Sequence, residues 1–163
     1  MTGKLKKLLA LKPSNFVTLV EIWLKLLLAW ASFSCLPQST ASRIWFGRDE
    51  RAVEEKEDLT SSPEKEVVIN QIVTLLKIAV SHHIVKLTCL HRVLVLKNMM
   101  EKYSIAASIV IGVQKKENAL AAHAWLQVGN DIVADKKSYT DQFKPLDDQS
   151  SISLMLLDGQ KKS

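Results

Sequence analysis

The sequence predicts a small α+β domain in which one buried helix packs on a short antiparallel sheet, with an N-terminal helical segment before it. Apolar residues recur at helical spacing up to about residue 103, and from residue 107 onward the pattern turns β-branched and alternating. The 163 residues, 47% of them hydrophobic, suffice for one core. We expect a helical N-terminal segment (1–48), an acidic linker (49–62), a domain core (63–146) and a tail (147–163).

The first predicted helix, residues 16–36, is apolar on almost every face and ends before Pro37. Its 21 residues could span a bilayer, but Glu21 and Lys25 lie inside it. Each charge costs about 2.5–3.5 kcal/mol near the centre of a spanning helix, and their i,i+4 spacing favours an ion pair. We therefore expect a helix that packs on its own domain or on a partner. Peripheral contact with a membrane surface ranks second, and a true span third.

The remaining elements follow from start signals and periodicity. Ser62, Pro63 and Glu64 begin an amphipathic helix that ends near His82 and His83. A largely buried helix begins at Thr88-Cys89. Strands are predicted at 107–113, at 120–128, at 132–134 and, in the tail, at 152–157.

Charge and composition exclude several classes of function. The net charge is +5, but residues 49–66 hold eight acids and three bases, and the other bases are spread out rather than striped. Nucleic-acid binders concentrate bases on one face, so no nucleic-acid partner is expected. The five glycines are far apart, which excludes a P-loop or a dinucleotide fingerprint. Two cysteines are too few for a disulfide scaffold and favour a reducing, cytoplasmic location.

A metal site is also not expected. His82, His83, Cys89 and His91 are close in sequence, but Cys89 and His91 are two residues apart on a helix and point in different directions. The CxxC and HxxxH pairs that are typical of structural zinc sites do not occur. We therefore expect neither a metal nor another cofactor.

Cys89 is the candidate nucleophile. A cysteine in the first turn of a buried helix lies beside unpaired backbone N–H groups and the positive end of the helix dipole, which stabilise a thiolate. A plain buried thiol is the alternative interpretation.

His123 and Asp135 are the candidate base and orienting carboxylate. On strand 120–128, His123 and Trp125 share a face opposite the apolar residues. A three-residue turn, Gly129-Asn130-Asp131, would pair Val128 with Ile132 and place Asp135 diagonal to His123. Cys89, His123 and Asp135 would then form a nucleophile, a base and an orienter, with Trp125 shielding the last two from water.

These residues resemble a known family. Thr88-Cys89-Leu90-His91-Arg92, then 108–113 (SIVIGV), then His123-Ala124-Trp125 and Asp135 resemble the transglutaminase-like cysteine proteases of lasso-peptide maturation, in the family's order. The resemblance covers roughly residues 60–146 and is to the stand-alone leader peptidase. It implies a papain/transglutaminase-like fold for the core.

The resemblance also implies an activity and partners. The protein would remove the leader from a ribosomally made precursor peptide, with Cys89 as nucleophile, His123 as base and Asp135 as orienter. A separate recognition protein would bind the leader, and an asparagine-synthetase-like cyclase would close the ring. Trp125, Arg92 and Gln127 are expected to support the site, although Gln127 stands where the family commonly has an acidic residue. The helix at 16–36 is expected to dock on the recognition protein or the cyclase.

Two other classes of function remain open. A non-catalytic scaffold or membrane-surface adaptor could use the helix at 16–36. A transglutaminase-type acyl transferase would use the same three residues and differ only in its product.

Overall fold

The computed structural model describes residues 13–46, 63–116 and 119–146. The elements in chain order are α1 (Pro13–Cys35), α2 (Gln38–Phe46), α3 (Pro63–Ser81), α4 (Cys89–Lys102), β1 (Ser108–Lys116), β2 (Ala119–Val128), β3 (Asp131–Val133), α5 (Lys137–Thr140) and β4 (Lys144–Pro145). Helices combined with a small antiparallel sheet confirm the predicted fold class. The acidic linker at 49–62 and the tail strand at 152–157 lie outside the described residues.

Helix α1 packs on its own domain, as its first-ranked interpretation predicts. Its inward stripe consists of Leu19, Ile22, Leu26 and Ala29, which share one hydrophobic cluster with buried residues of α3 and α4. The spacing of three and four residues places this stripe on one side of the helix. The helix begins at Pro13, three residues before the predicted start, because proline is tolerated in a first helical turn.

The two charges of α1 are satisfied by protein partners. Glu21 and Lys25 form the expected ion pair at 2.9 Å, and Lys102 of α4 lies 2.6 Å from the same carboxylate. Lys25 also donates to Oδ1 of Asn98 at 2.7 Å. Burial alone would raise the pKa of Glu21, but hydrogen bonds from Lys102 and Lys25 hold that pKa below its ordinary value. The ion pair with Lys102 and the hydrogen bond to Asn98 therefore hold α1 against α4.

One further property of α1 bears on membranes. Of the helices that the structure describes, it is the one whose length and apolar composition would allow it to cross a bilayer. To cross a bilayer, α1 would have to withdraw its inward stripe from the core, and Glu21 would have to give up its ion pair with Lys102.

The sheet has the strand order β3-β2-β1-β4. In the β1–β2 ladder, Ile111 lies opposite Ala124 and Ile109 opposite Leu126, and this face joins the helical core. The intervening pairs place their side chains on the other face, because alternate residues of a strand point to opposite sides. These pairs are Gly112 with His123 and Val110 with Trp125.

The predicted register of β2 and β3 is wrong. The turn has two residues, Gly129 and Asn130, and Val128 pairs with Asp131 rather than with Ile132. Gly129 has a φ of 57°, the positive value that tight hairpin turns need at their first central position. This register places Val133 opposite Leu126, and both side chains are buried in the core.

Candidate active site

Strand β2 brings His123 and Trp125 to the face of the sheet opposite the helical core. Trp125 is only 4% exposed, and its ring is stacked on that of His123 with 6.1 Å between centroids. The expectation that both residues face a covering element agrees with this arrangement. The cover comes from the segment after β3, which includes α5 and Phe143.

His123 and Asp135 are in contact. Nε2 of His123 lies 3.3 Å from Oδ2 of Asp135, and the two side chains are 14% and 32% exposed. A proton on Nε2 of the neutral ring satisfies this contact, which leaves Nδ1 as the basic nitrogen. Nδ1 has no hydrogen-bonding partner among residues 13–46, 63–116 and 119–146. The pair is thus arranged as an imidazole held by a carboxylate with its second nitrogen unpaired.

Asp135 reaches His123 by a route that the sequence did not indicate. With a two-residue turn, regular alternation would place Asp135 on the core face, opposite the direction of His123. Strand β3 ends at Val133, however, and Ala134 adopts a φ of 72°. This left-handed residue interrupts the alternation and returns Asp135 to the face of His123. Asp135 therefore lies next to His123 as expected, but in a different register and through the bend at Ala134.

Two aromatic residues beside His123 were missed by the sequence analysis. The rings of Tyr139 and Phe143 have centroids 5.0 Å and 5.4 Å from that of His123, and they contact each other at 5.3 Å. Both residues follow Asp135 closely in the sequence. Their i,i+4 spacing is typical of two side chains that meet on one face of a helical turn, so the sequence could have indicated this aromatic pair. Together with Trp125 they surround the imidazole on several sides.

Gly112 provides space for this aromatic group. It pairs directly with His123 across the β1–β2 ladder, and the place where its Cβ would stand is crowded by Trp125 and Phe143. Strand β4 then pairs with β1 at the same level, through Gly112 and Pro145. The absence of a side chain at Gly112 therefore allows the segment after β3 to approach the imidazole closely.

Cys89 is the first residue of α4, in agreement with the predicted start at Thr88-Cys89, and Thr88 is the N-cap. The Thr88 N–H donates to Nδ1 of His91 at 3.1 Å, so the imidazole closes the first turn in a capping-box arrangement. Burial lowers the pKa of His91, which favours the neutral ring that can accept this bond. The role of His91 as a cap was also missed, because histidine is an uncommon residue at that position.

Cys89 is partly buried and packs against the core cluster. Its helix packs against β1 and, more extensively, against β2, the strand that carries His123. The thiol forms no hydrogen bond with any residue that the structure describes. The structure thus brings His123 and Asp135 into contact but does not bring Cys89 to them, because the thiol packs with the helical core and His123 lies on the other face of the sheet.

The other two expected supporting residues have separate positions. Gln127 lies on the His123 face, and its amide donates to the Gly129 carbonyl at 2.9 Å, so it stabilises the turn into β3. The side chain of Arg92 is exposed, and its backbone N–H donates to the Thr88 carbonyl at 3.4 Å. A supporting role for Arg92 in the site stays a prediction.

The described part of the chain has no group of three or more His, Cys, Asp or Glu side chains arranged to hold a metal ion.

Comparison with known proteins identifies the family. No significant match is found among curated proteins or among solved structures. The family model of the Transglutaminase-like superfamily matches residues 48–148, which is more than half of the chain. That superfamily includes cysteine peptidases and acyltransferases, and its members are generally cysteine-dependent enzymes. The chain belongs to the Transglutaminase-like superfamily.

Proposed function

We propose that this protein is a cysteine peptidase in which Cys89 is the nucleophile, His123 the general base and then acid, and Asp135 the orienting carboxylate. The contact between Nε2 of His123 and Oδ2 of Asp135 carries the proposal. An imidazole that is oriented at one nitrogen and unpaired at the other is the base that a thiol nucleophile requires. The family match supports a cysteine-dependent reaction.

The reaction proceeds through a thioester. Nδ1 of His123 takes the proton from Sγ of Cys89, and the thiolate attacks the carbonyl carbon of the scissile peptide. The tetrahedral intermediate collapses with cleavage of the C–N bond, and the leaving amine takes the proton from Nδ1. Water, deprotonated by the same nitrogen, then hydrolyses the thioester and regenerates the thiol.

The start of α4 would also stabilise the oxyanion. The first backbone N–H groups of a helix lack intrahelical acceptors, and the helix dipole adds positive potential at this end. Cys89 is the first residue of α4, so these groups lie beside its side chain. They are suited to receive the negative oxygen of the tetrahedral intermediate.

The aromatic residues around His123 would hold the imidazole still and exclude water. Trp125, Tyr139 and Phe143 each contact its ring, and Trp125 is buried. Less water around the imidazole–carboxylate pair strengthens their electrostatic interaction. The whole unit 63–146 would be the peptidase core.

The proposed substrate is the leader region of a ribosomally synthesised precursor of a lasso peptide. The support is the resemblance over roughly residues 60–146, carried by Thr88–Arg92, by 108–113, by His123-Ala124-Trp125 and by Asp135. A separate recognition protein would present the leader, and an asparagine-synthetase-like cyclase would use the freed N-terminus. The location would be cytoplasmic.

Leader removal tests this proposal. The full chain is incubated with the precursor and the recognition protein that are encoded beside it, and the products are measured by mass spectrometry. We expect separate leader and core fragments, loss of both with Cys89→Ala, and full activity with Cys35→Ala, since Cys35 is an exposed thiol at the end of α1. Cleavage that persists with Cys89→Ala would refute the proposal.

The reaction product distinguishes the proposed peptidase from the competing acyl transferase. When a primary amine is added, a transferase yields the leader with the mass of the amide, whereas a peptidase yields the free carboxylic acid. A predominant amide product would favour the acyl transferase. Absence of both products, with Cys89 unreactive, would favour a non-catalytic scaffold.

A further inference from the structure

Helix α1 is apolar on two opposite sides. One side is the inward stripe, which is packed into the core. The other side is an outer stripe of large exposed side chains, namely Phe16 (53% exposed), Val17 (66%), Val20 (41%), Leu24 (49%) and Leu28 (61%). A helix on the surface of a soluble domain normally carries polar residues on this side. The outer stripe therefore departs from ordinary surface composition.

The charges of α1 do not interrupt the outer stripe. Glu21 and Lys25 lie on the flank that faces α4, where they bind Lys102 and Asn98. The hydrophobic surface thus continues from Phe16 to Leu28, and on helical geometry it is about 18 Å long.

The apolar surface extends beyond the helix. A groove of about 210 Å³ between α1 and α3 is lined by Leu19, Val20, Trp23, Ile78, Ala79 and His82. The adjoining loop is fastened to α1, because His83 contacts the Trp23 carbonyl at 3.2 Å and its ring lies against the indole. The next residue, Ile84, is 77% exposed. The apolar side chains of the groove and of this loop thus continue the hydrophobic surface beside the outer stripe.

Positive charge accompanies this surface. Lys4, Lys6, Lys7 and Lys12 directly precede α1 in the sequence, and the first 20 residues contain no acid. Lys86 is exposed in the loop that carries Ile84. An exposed apolar helix face that directly follows a lysine-rich run in the sequence is the composition that binds the interface of an anionic bilayer.

The same features argue against a second copy of the chain as the occupant. The outer stripe runs over residues 16–28, which is less than two heptads, whereas a stable coiled-coil seam requires at least about three. A second copy would also bring its own basic run rather than the acidic surface that the lysines require.

We propose that the outer stripe of α1 binds the surface of anionic membranes. The helix lies parallel to the bilayer, inserts Leu24 and Leu28 among the acyl chains and remains packed on α3 and α4 through its inward stripe. The lysines before the helix contact the lipid headgroups. This binding is independent of the chemistry at Cys89.

Vesicle co-sedimentation of the full chain tests the proposal. We expect binding to vesicles of phosphatidylcholine mixed with phosphatidylglycerol, much less to phosphatidylcholine alone, and weakening as salt is added. The double variant Leu24→Gln/Leu28→Gln should bind about tenfold more weakly. Leu120→Gln, which changes a 70% exposed leucine on β2, is the matched control and should bind like the parent chain. Thermal unfolding of all variants should remain unchanged, because both leucines of α1 are exposed.

The lysines and the depth of insertion are tested separately. Replacing Lys4, Lys6, Lys7 and Lys12 by Gln should remove the preference for anionic vesicles. Equal binding of the parent chain and the Leu24→Gln/Leu28→Gln variant would overturn the proposal. So would resistance of the bound chain to alkaline extraction, which indicates a span, or self-association that the double variant abolishes, which indicates a dimer interface.

Discussion

Gly112 and Trp125 approach each other so closely that no side chain fits between them. A Cβ atom on Gly112 would lie 2.8 Å from Cη2 of Trp125 and 2.9 Å from Cβ of Phe143. Because Gly112 is the cross-strand partner of His123, the close approach lies directly beside the proposed base. The glycine is thus part of the arrangement that holds the imidazole.

Replacement of Gly112 by alanine should therefore disturb both stability and the site. We expect Gly112→Ala to lower the free energy of unfolding by about 1–3 kcal/mol, the usual cost of overpacking, and to slow alkylation of Cys89. Urea denaturation gives the first quantity. Trp125→Phe, which shortens the ring, should partly restore stability when combined with Gly112→Ala. Unchanged urea midpoints for Gly112→Ala would contradict this account of the packing.

The left-handed backbone at Ala134 predicts an unusual mutational preference. A φ of 72° costs a non-glycine residue about 1–2 kcal/mol, so Ala134→Gly should not lower the free energy of unfolding. Ala134→Val should lower it by about 2 kcal/mol and displace Asp135 from His123. Ala122→Val, at an exposed position of β2, serves as control and should be tolerated. If Ala134→Val were as stable as this control, the proposed route of Asp135 to His123 would be wrong.

His91 predicts a pH dependence of stability. Burial lowers its pKa in the folded state below the ordinary 6.5, so the unfolded chain binds more protons. The stabilisation is fully present above about pH 6.5 and is lost as the pH falls towards the folded pKa, with a slope of at most about 1.4 kcal/mol per pH unit. Denaturation at several pH values should show this loss, and His91→Gln should reduce it. A slope that is the same in His91→Gln as in the parent chain would contradict this role of His91.

The ion pairs of Glu21 predict a second pH dependence of stability, at more acidic pH. Its folded pKa lies below 4.5 because Lys102 and Lys25 bind the carboxylate, even though burial opposes the shift. The stabilisation is therefore present above about pH 4.5 and disappears as the pH falls through the folded pKa. Glu21→Gln should remove that acid-induced loss and cost about 0.5–1 kcal/mol at neutral pH, less at high salt. An identical acid transition for Glu21→Gln and the exposed Glu66→Gln would contradict this role.

The sequence was sufficient for the order and type of most elements. The structure agrees with four predictions that depend on local rules. These are the start of α4 at Thr88-Cys89, the end of α3 near His82, the Glu21–Lys25 pair and the shared face of His123 and Trp125. These features require only the helical or strand period and nearest-neighbour chemistry.

The features that the sequence did not predict depend on long-range packing. The three-residue turn was expected because it pairs Val128 with Ile132, whereas the observed two-residue turn pairs Val133 with Leu126 and uses the positive φ of Gly129. The left-handed conformation of Ala134 has no sequence signal, since alanine does not favour it. Contact of Tyr139 and Phe143 with His123 likewise required the fold of the segment after β3.

Asp135 has a predicted effect of its own. Asp135→Asn should retain the fold, because the residue is 32% exposed, but it removes the negative charge that stabilises a protonated His123. We expect leader cleavage to slow by about tenfold or more, with unchanged thermal unfolding. A variant that cleaves at the parental rate would show that the contact is structural only.

Alkylation of the two thiols tests the central claim most directly. At about pH 6, iodoacetamide followed by peptide mapping should modify Cys89 at least about tenfold faster than the exposed Cys35, and His123→Ala should abolish the difference. This result is expected if His123 and the start of α4 activate Cys89 as a nucleophile. Labelling of Cys89 that is no faster than that of Cys35, or that is unaffected by His123→Ala, would contradict a nucleophile paired with this imidazole.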